Sequence, residues 1–96
     1  IVTPHVEPHM RHAYHLYVIQ VPRRLELYER LRAARIHTQV HYVPTHTMRY
    51  YRLRESQPSL PVAEEYYAHC LSLPMFPSLT QAEQEYVIAQ VLEGVQ

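Results

Sequence analysis

The sequence predicts a small two-layer α/β domain with a three- to four-stranded sheet, largely antiparallel or mixed, and helices packed on it. Segments with the two-residue period of a strand alternate with segments that have the 3.6-residue period of a helix. The chain has 96 residues, 47% hydrophobic and 19% charged, which fits one folded domain. We expect residues 1–12, which contain two prolines, to be an extended lead-in and residues 13–96 to form the domain.

The first predicted elements are a strand and a helix. The segment "AYHLYVIQV" (13–21) is rich in aromatic and β-branched residues and is apolar on both faces, which predicts a central strand. Pro22 suits the first turn of a helix. In "RRLELYERLRAAR" (23–35), Leu27 and Leu31 recur at helical spacing, so this helix should end near residue 35.

A second strand and a long loop follow. The segment "IHTQVHY" (36–42) is predicted to be a strand, and Pro44 ends it. The polar and aromatic stretch after Pro44 contains one candidate helical turn, "MRYYRLRE" (48–55), and a further proline, Pro58.

The last third predicts two helices joined by a short extended piece. Pro61 can start the helix "VAEEYYAHCL", which would place Cys70 on its inner face with Ala63 and Tyr67. "SLPMFPSL" (72–79) is expected to be extended. The segment 80–83, Thr-Gln-Ala-Glu, has the capping-box pattern of a helix start, and the lone glycine, Gly94, suits its C-terminal cap.

The composition excludes several functions. All nine basic residues are arginine, so no side-chain amine is available for Schiff-base chemistry. The formal net charge is zero, which removes the electrostatic attraction that nucleic-acid binding needs. No apolar run reaches the roughly 18–20 residues of a membrane span. The single cysteine fits a reducing, cytoplasmic setting, and the start at Ile1 without methionine suggests a piece of a longer protein.

The stretch "HTQVHYVPTHTMRYY" (37–51) concentrates three histidines and three tyrosines. A metal bound by His37, His41 and His46 is conceivable, but no acidic residue lies between positions 30 and 54 to complete it. Cys70 is expected to pack in the interior rather than to act as a nucleophile. A loop opened by Pro44 exposes its backbone and leaves side chains free to serve a ligand, so both a binding role and a structural role stay open at this point.

Three ordered stretches carry a resemblance to a known family. They are "YHLYVIQ", then "TQVHYVPTH" followed by "YYR", then "PVAEEYYAHCLSLPMFPSLTQAEQEYVI". In this order they resemble the C-terminal region of the DegT/DnrJ/StrS-type nucleotide-sugar aminotransferases, which are pyridoxal-phosphate enzymes of fold type I. The resemblance runs from about residue 12 to residue 92.

The resemblance implies a longer enzyme whose large N-terminal domain is not in this chain. That domain would bind pyridoxal phosphate through its lysine. The whole enzyme would be a cytoplasmic homodimer of polysaccharide biosynthesis that transfers an amino group, with glutamate as the expected donor, to a keto-sugar nucleotide. The isolated chain is expected to be inactive.

The resemblance also implies which side chains face the substrate. The loop "HYVPTH" would lie on the substrate side of the cleft, so His41, Tyr42 and His46 are candidates for substrate contacts, together with Tyr50 and Tyr51. No catalytic, cofactor-binding or metal-binding residue is expected in this chain, because the lysine amine of the large domain performs proton transfer in this class.

Two positions depart from the family pattern. Family members usually have glycine where this chain has Arg35, and a left-handed backbone costs arginine about 1 kcal/mol more than it costs glycine. Arg49 stands where proline is common, so the path of the loop and the direction of His46 can differ.

Two other functions compete with the enzyme hypothesis. The chain could be a stand-alone module that binds a small ligand or a metal through its histidine and tyrosine loop. It could instead be a dimerisation domain in which that loop is the interface. Bare apolar surface left by a missing domain would also favour self-association.

Overall fold

The computed structural model describes residues 1–54 and 59–96. In chain order the elements are β1 (Tyr17–Gln20), α1 (Arg24–Ala33), a 3₁₀ turn (Thr45–Thr47), α2 (Arg49–Arg52), α3 (Pro61–His69), β2 (Cys70–Leu73) and α4 (Gln81–Gly94). The predicted α/β class is confirmed, with helices packed on a small antiparallel sheet. No helix in the described ranges is both long and apolar enough to cross a membrane.

The sheet has fewer strands than predicted. β1 and β2 pair antiparallel with Ile19 opposite Leu71. Each outer side carries one isolated bridge, Val2 with Gln20 and Gln39 with Ser72. Proline has no amide hydrogen to donate to a neighbouring strand. Pro4 lies two residues after Val2, and Pro74 lies two residues after Ser72, so each outer pairing lacks a donor at its next hydrogen-bonded position. The second predicted strand, 36–42, is therefore reduced to a single bridged residue.

β1 begins at Tyr17 rather than at residue 13, and it belongs to a sheet of two strands rather than lying at the centre of a larger one. It has a pairing partner on each side. Tyr14 has a left-handed backbone with φ of 47°, and its amide donates to Nδ1 of His12 at 2.7 Å. This local hydrogen bond takes the Tyr14 amide away from the ladder, so the chain bends before the strand starts.

A single apolar cluster holds the fold together. Leu27 and Leu31 of α1 are fully buried, as their spacing predicts, and Val87 and Val91 of α4 pack with them. The full cluster of buried side chains is Ile19, Val21, Leu27, Leu31, Ile36, Leu71, Val87 and Val91. An ion pair of 2.6 Å between Arg30 and Glu93 links the two helices at the rim of this core.

The end of α1 shows how the chain accommodates arginine at the position where the resemblance implies glycine. Arg35 adopts φ of 61°, in the left-handed region. The Ile36 amide donates to the Leu31 carbonyl at 2.8 Å and the Arg35 amide to the Arg32 carbonyl at 3.0 Å, which together form a Schellman motif. Leu31 and Ile36 are both buried, so the motif has its usual apolar contact. Arg35 thus adopts the left-handed conformation that glycine would adopt more readily at this turn.

α3 and β2 differ from the prediction. α3 starts at Pro61 as expected, but it buries no side chain, so the predicted inner face is wrong. Cys70 is the first residue of β2 and not a helical residue. It is fully buried, which confirms its packing role, with Sγ 3.7 Å from the Tyr67 carbonyl oxygen. The sequence pattern misses this boundary because α3 passes into β2 without a loop.

The loop before α3 lies partly outside the described residues. The expected helical turn is confirmed as α2, whereas Pro58 and the end of the predicted segment 48–55 fall within the undescribed residues 55–58.

Gly94 is not the left-handed cap that its position suggests. It is the last residue of α4, and no glycine in the described chain has positive φ. A Cβ atom at this position would lie 2.6 Å from Cδ1 of Leu27. Because Leu27 is buried and cannot move aside easily, the glycine allows α4 to approach α1 closely.

The predicted capping box at the start of α4 is confirmed. The Thr80 hydroxyl accepts from the Glu83 amide at 3.3 Å, and the Glu83 carboxylate accepts from the Thr80 amide at 2.8 Å. The hydrogen bond from the Thr80 backbone, followed by the one from its hydroxyl, lowers the pKa of Glu83 below its ordinary value of 4.5.

The chain exposes more surface than a compact protein of its mass. Its accessible surface is 7713 Å², whereas a compact monomer of this mass exposes about 5,800 Å². Its radius of gyration is 15.6 Å, against about 12.5 Å expected for a compact domain of this length. The excess of about 1,900 Å² exceeds the roughly 800 Å² that one partner buries in a standard interface.

We expect the Arg35→Gly variant to be more stable than the wild type by about 1 kcal/mol, because glycine adopts the left-handed backbone without a Cβ clash. The matched control, Arg32→Gly inside α1, should lose about 1 kcal/mol of helix propensity. Urea unfolding measures both. Destabilisation by Arg35→Gly would show that the arginine side chain makes a compensating contact.

We expect Glu83→Gln to be less stable than the wild type at pH 7, and we expect this difference to shrink as the pH falls below 4.5 and through the lowered pKa of Glu83. The pKa of Glu83 is lower in the folded chain, so its contribution is complete above the unfolded pKa and is lost as the pH falls through the folded pKa. The free energy of unfolding across this pH range checks this. A difference in free energy of unfolding between the wild type and Glu83→Gln that does not change with pH would contradict the electrostatic account of the cap.

Candidate functional site

His41 and Tyr42 stand at the junction between the sheet and the loop. The half-buried His41 ring donates from Nε2 to the Gln39 side-chain oxygen at 3.0 Å, and its Nδ1 accepts from the Ser72 hydroxyl at 2.8 Å. The centroids of the two rings lie 4.6 Å apart, and the peptide bond that joins these residues is cis. His41 is thus fixed on both nitrogens, while the Tyr42 side chain points outward and is 67% exposed.

Ser72 and His41 are hydrogen-bonded in the way that a catalytic nucleophile is bonded to its base, but a substrate cannot reach the Ser72 hydroxyl. Ser72 is only 4% exposed, so its hydroxyl does not reach a substrate. The bond instead orients His41. No local sequence pattern links the two residues, because they are 31 positions apart and meet through the Gln39–Ser72 bridge.

Tyr42 forms one wall of an apolar surface groove, which we call the tyrosine groove. It encloses about 630 Å³. Its lining residues come from the loop and from the start of α3: Tyr42, Pro44, Leu60, Pro61, Val62, Ala63, Tyr66 and Tyr67. Partial burial is the main factor that raises the pKa of Tyr66 above 10.0, with the Cys70 thiol as the smaller cause. Tyr66 is therefore a neutral hydroxyl at physiological pH.

His46 and Tyr51 meet in a second depression, which we call the histidine recess. It encloses about 410 Å³ and is lined by Pro44, Thr45, His46, Tyr51, Leu60 and Ala63. Pro44, Leu60 and Ala63 line both depressions, so the recess and the tyrosine groove form one continuous surface. The structure therefore brings Tyr42, His46 and Tyr51 together on this surface.

Glu64 of α3 holds His46 in place. The imidazole donates from Nε2 to Oε1 of Glu64 at 2.8 Å, and the side chain of His46 is only 11% exposed. The same carboxylate oxygen accepts from the Leu60 amide at 3.1 Å. The hydrogen bond from His46, and then that from Leu60, lowers the pKa of Glu64. Sequence reasoning missed Glu64, because it lies 18 positions after His46 and no local pattern links them.

Tyr50 lies beside this surface rather than in it. Its ring meets that of Tyr51 edge to face, with centroids 5.2 Å apart. Arg54 covers the other side of Tyr50, with its guanidinium carbon 5.0 Å from the ring centroid and a 2.7 Å hydrogen bond to the hydroxyl. Arg49, which replaces the proline of the family pattern, begins α2 and so lies at the start of the helical turn that carries both tyrosines.

The described residues are not arranged to hold a metal ion, and the tyrosine groove and the histidine recess lack the groups that would hold pyridoxal phosphate. Among residues 1–54 and 59–96, no group of three or more histidine, cysteine or acidic side chains is placed to hold a metal ion. The chain has no lysine to bind the aldehyde of pyridoxal phosphate. The residues lining the tyrosine groove and the histidine recess include no arginine that would hold its phosphate.

Comparison with known proteins supports the observed fold and the family resemblance of the three sequence stretches quoted above. The model of the DegT/DnrJ/EryC1/StrS aminotransferase family matches residues 1–92, so the chain belongs to this family. A curated relative, the spore coat polysaccharide biosynthesis protein SpsC of Bacillus subtilis, is 36% identical over 104 aligned residues that cover 99% of the chain.

Solved structures of the same family superpose on nearly the whole chain. DesV of S. venezuelae, in complex with a ketimine intermediate, has a TM-score of 0.90 and 34% identity over 99% of the chain. PseC of Helicobacter pylori, an aminotransferase of pseudaminic acid biosynthesis, has a TM-score of 0.77 and 27% identity over 84% of the chain. The chain spans only 27% of SpsC, 26% of DesV and 23% of PseC, so it corresponds to about a quarter of each.

Proposed function

We propose that this chain is the C-terminal small domain of a pyridoxal-phosphate-dependent aminotransferase that acts on a keto-sugar nucleotide. In this proposal the chain supplies a wall and a lid of the substrate cleft, while a large N-terminal domain holds the cofactor. Glutamate is the proposed amino donor, and the whole enzyme is proposed to be a cytoplasmic homodimer of polysaccharide biosynthesis. The family generally uses pyridoxal phosphate, the relative SpsC is named for spore coat polysaccharide biosynthesis, and PseC is named for the biosynthesis of pseudoaminic acid.

The observation that carries the proposal is the continuous surface formed by the tyrosine groove and the histidine recess. It is apolar with a few polar groups, as small-molecule sites usually are. α3 borders this surface and buries none of its side chains, and Val62 is 84% exposed. A surface of this kind, on a chain with about 1,900 Å² of excess exposure, is suited to be covered by the remainder of a larger enzyme.

The five candidate residues take different parts in this proposal. Tyr42 and Tyr51 line the cleft, where their aromatic rings can stack on the substrate. Tyr50, backed by Arg54, supports Tyr51 through the edge-to-face contact. His41 fixes the base of Tyr42, since both of its nitrogens are bonded within the domain. His46 contacts substrate from the wall of the histidine recess.

The chemistry of the amino transfer comes from the cofactor, which acts as an electron sink when bound. This chain contributes binding, orientation and the exclusion of water from the reacting atoms. None of its described residues is proposed as the catalytic base.

We expect the 96-residue chain alone to bind pyridoxal phosphate weakly and without a defined stoichiometry, because it has no side-chain amine to hold the aldehyde. Absorbance titration checks this, with the α-amino group of Ile1 acetylated as a control for attachment at the chain terminus. Tight one-to-one binding by the acetylated chain would contradict the proposal.

In the full-length enzyme, glutamate and a keto-sugar nucleotide should yield 2-oxoglutarate and the amino sugar. We expect Tyr42→Ala to raise the KM for the sugar nucleotide about tenfold, because an aromatic contact of about 1.4 kcal/mol is removed. Tyr86→Ala is the matched control, since Tyr86 is a half-exposed tyrosine on α4 outside both depressions. Absence of amino transfer would contradict the function, and an unchanged KM for Tyr42→Ala would contradict the assigned cleft.

A further inference from the structure

The carboxylate of Glu64 has a more specific role than anchoring the loop. A carboxylate only accepts hydrogen bonds, so the nitrogen that contacts it must carry a proton. The ring atom in contact is Nε2 of His46, at 2.8 Å. In the neutral imidazole the other nitrogen, Nδ1, then has no hydrogen and is a hydrogen-bond acceptor.

We propose that Glu64 is a positioning residue that fixes His46 as the Nε2–H tautomer, so that Nδ1 accepts a hydrogen bond from a hydroxyl or amino group of the substrate. This inference rests on the proposed function, and it names the kind of substrate group that the histidine recess takes. An ionised phosphate carries no proton to donate to Nδ1, so the neutral, Nε2-protonated His46 favours the hydroxyl and amino groups of a sugar nucleotide over its diphosphate.

The lining of the histidine recess agrees with this selection. Among the residues that the structure describes, its polar lining side chains are Thr45, His46 and Tyr51, and its lining includes no arginine. Phosphate groups in proteins are usually bound by arginine, lysine or helix N-termini. Hydroxyl-bearing ligands need neutral groups that donate and accept, which is what threonine, tyrosine and a tautomerically fixed histidine supply.

The anchoring of Glu64 makes the tautomer persistent. Oε1 accepts from the Leu60 amide at 3.1 Å as well as from His46, so the carboxylate is held against the start of α3. With its side chain only 11% exposed, His46 has little room to turn its other edge toward Glu64. The hydrogen bond that selects the tautomer is therefore built into the domain before a ligand arrives.

The tautomer is measured by ¹⁵N NMR of the full-length enzyme with labelled histidine. We expect the wild-type ring of His46 to carry its proton on Nε2 in the neutral form. Glu64→Ala should give a mixture of tautomers, whereas Glu64→Gln should retain the Nε2–H form because its amide oxygen still accepts. Glu65→Ala is the matched control, since Glu65 is the next residue of α3 and pairs with His69 instead.

Kinetics of the same variants test the contact with substrate. We expect Glu64→Ala to raise the KM for the sugar nucleotide about tenfold, with kcat and the KM for the amino-acid donor unchanged, as for a contact made equally in the ground state and the transition state. Glu64→Gln should recover most of the affinity. A general loss of structure would instead affect both substrates.

Two results would overturn the inference: a wild-type His46 with its proton on Nδ1, or a Glu64→Ala enzyme whose KM for the sugar nucleotide equals that of the wild type. Failure of the proposed function is distinguishable from either, because it would appear as the absence of amino transfer in the wild type and all variants alike. The tautomer measurement requires no turnover and tests Glu64 by itself.

Discussion

The packing of α1 and α4 on a two-stranded sheet is the interaction on which the rest of this domain depends. A two-stranded sheet is at best marginally stable in water, so it needs helices on it. Leu27 and Leu31 from α1 meet Val87 and Val91 from α4 in one buried cluster with Leu71 of the sheet. Gly94 permits this close approach, because a Cβ atom there would collide with Leu27.

The part of the chain that carries the candidate site lies outside this core and is fixed by other means. α3 buries no side chain, and the loop after Pro44 has no buried residue in its 3₁₀ turn or in α2. Hydrogen bonds between distant residues hold this region instead, chiefly the one that His41 accepts from Ser72 and the one that His46 donates to Glu64. Such a region presents preoriented polar groups on an apolar surface, which suits a binding wall that a larger enzyme completes.

The features that depend on neighbouring residues could be predicted from the sequence. The leucines of α1 and the capping box at Thr80 follow from side-chain spacing over a few residues, whereas the left-handed residue Arg35 is indicated only by the glycine that the family resemblance implies at its position. The strand lengths were overestimated, because the prolines next to the outer strands remove ladder hydrogen bonds and His12 diverts the amide of Tyr14. These corrections involve contacts across the sheet or turns that no periodic pattern encodes.

Within the candidate site, the sequence indicated the exposed tyrosines and the two histidines but not the groups that orient them. Ser72 and Glu64 lie 31 and 18 residues away from their histidine partners, so their roles emerge only once β2 and α3 are placed. These hydrogen-bond partners explain why His41 and His46 have different proposed roles. His41 is committed on both nitrogens, whereas the hydrogen bond of His46 to Glu64 engages only Nε2.

Amide hydrogen exchange in the full-length enzyme, with and without a keto-sugar nucleotide, tests most directly whether this surface is a wall of the substrate cleft. The account predicts that the substrate slows exchange in segments 42–52 and 60–67, while amides of α1, on the core side, exchange at unchanged rates. Protection confined to other parts of the enzyme, with no change in these two segments, would contradict it.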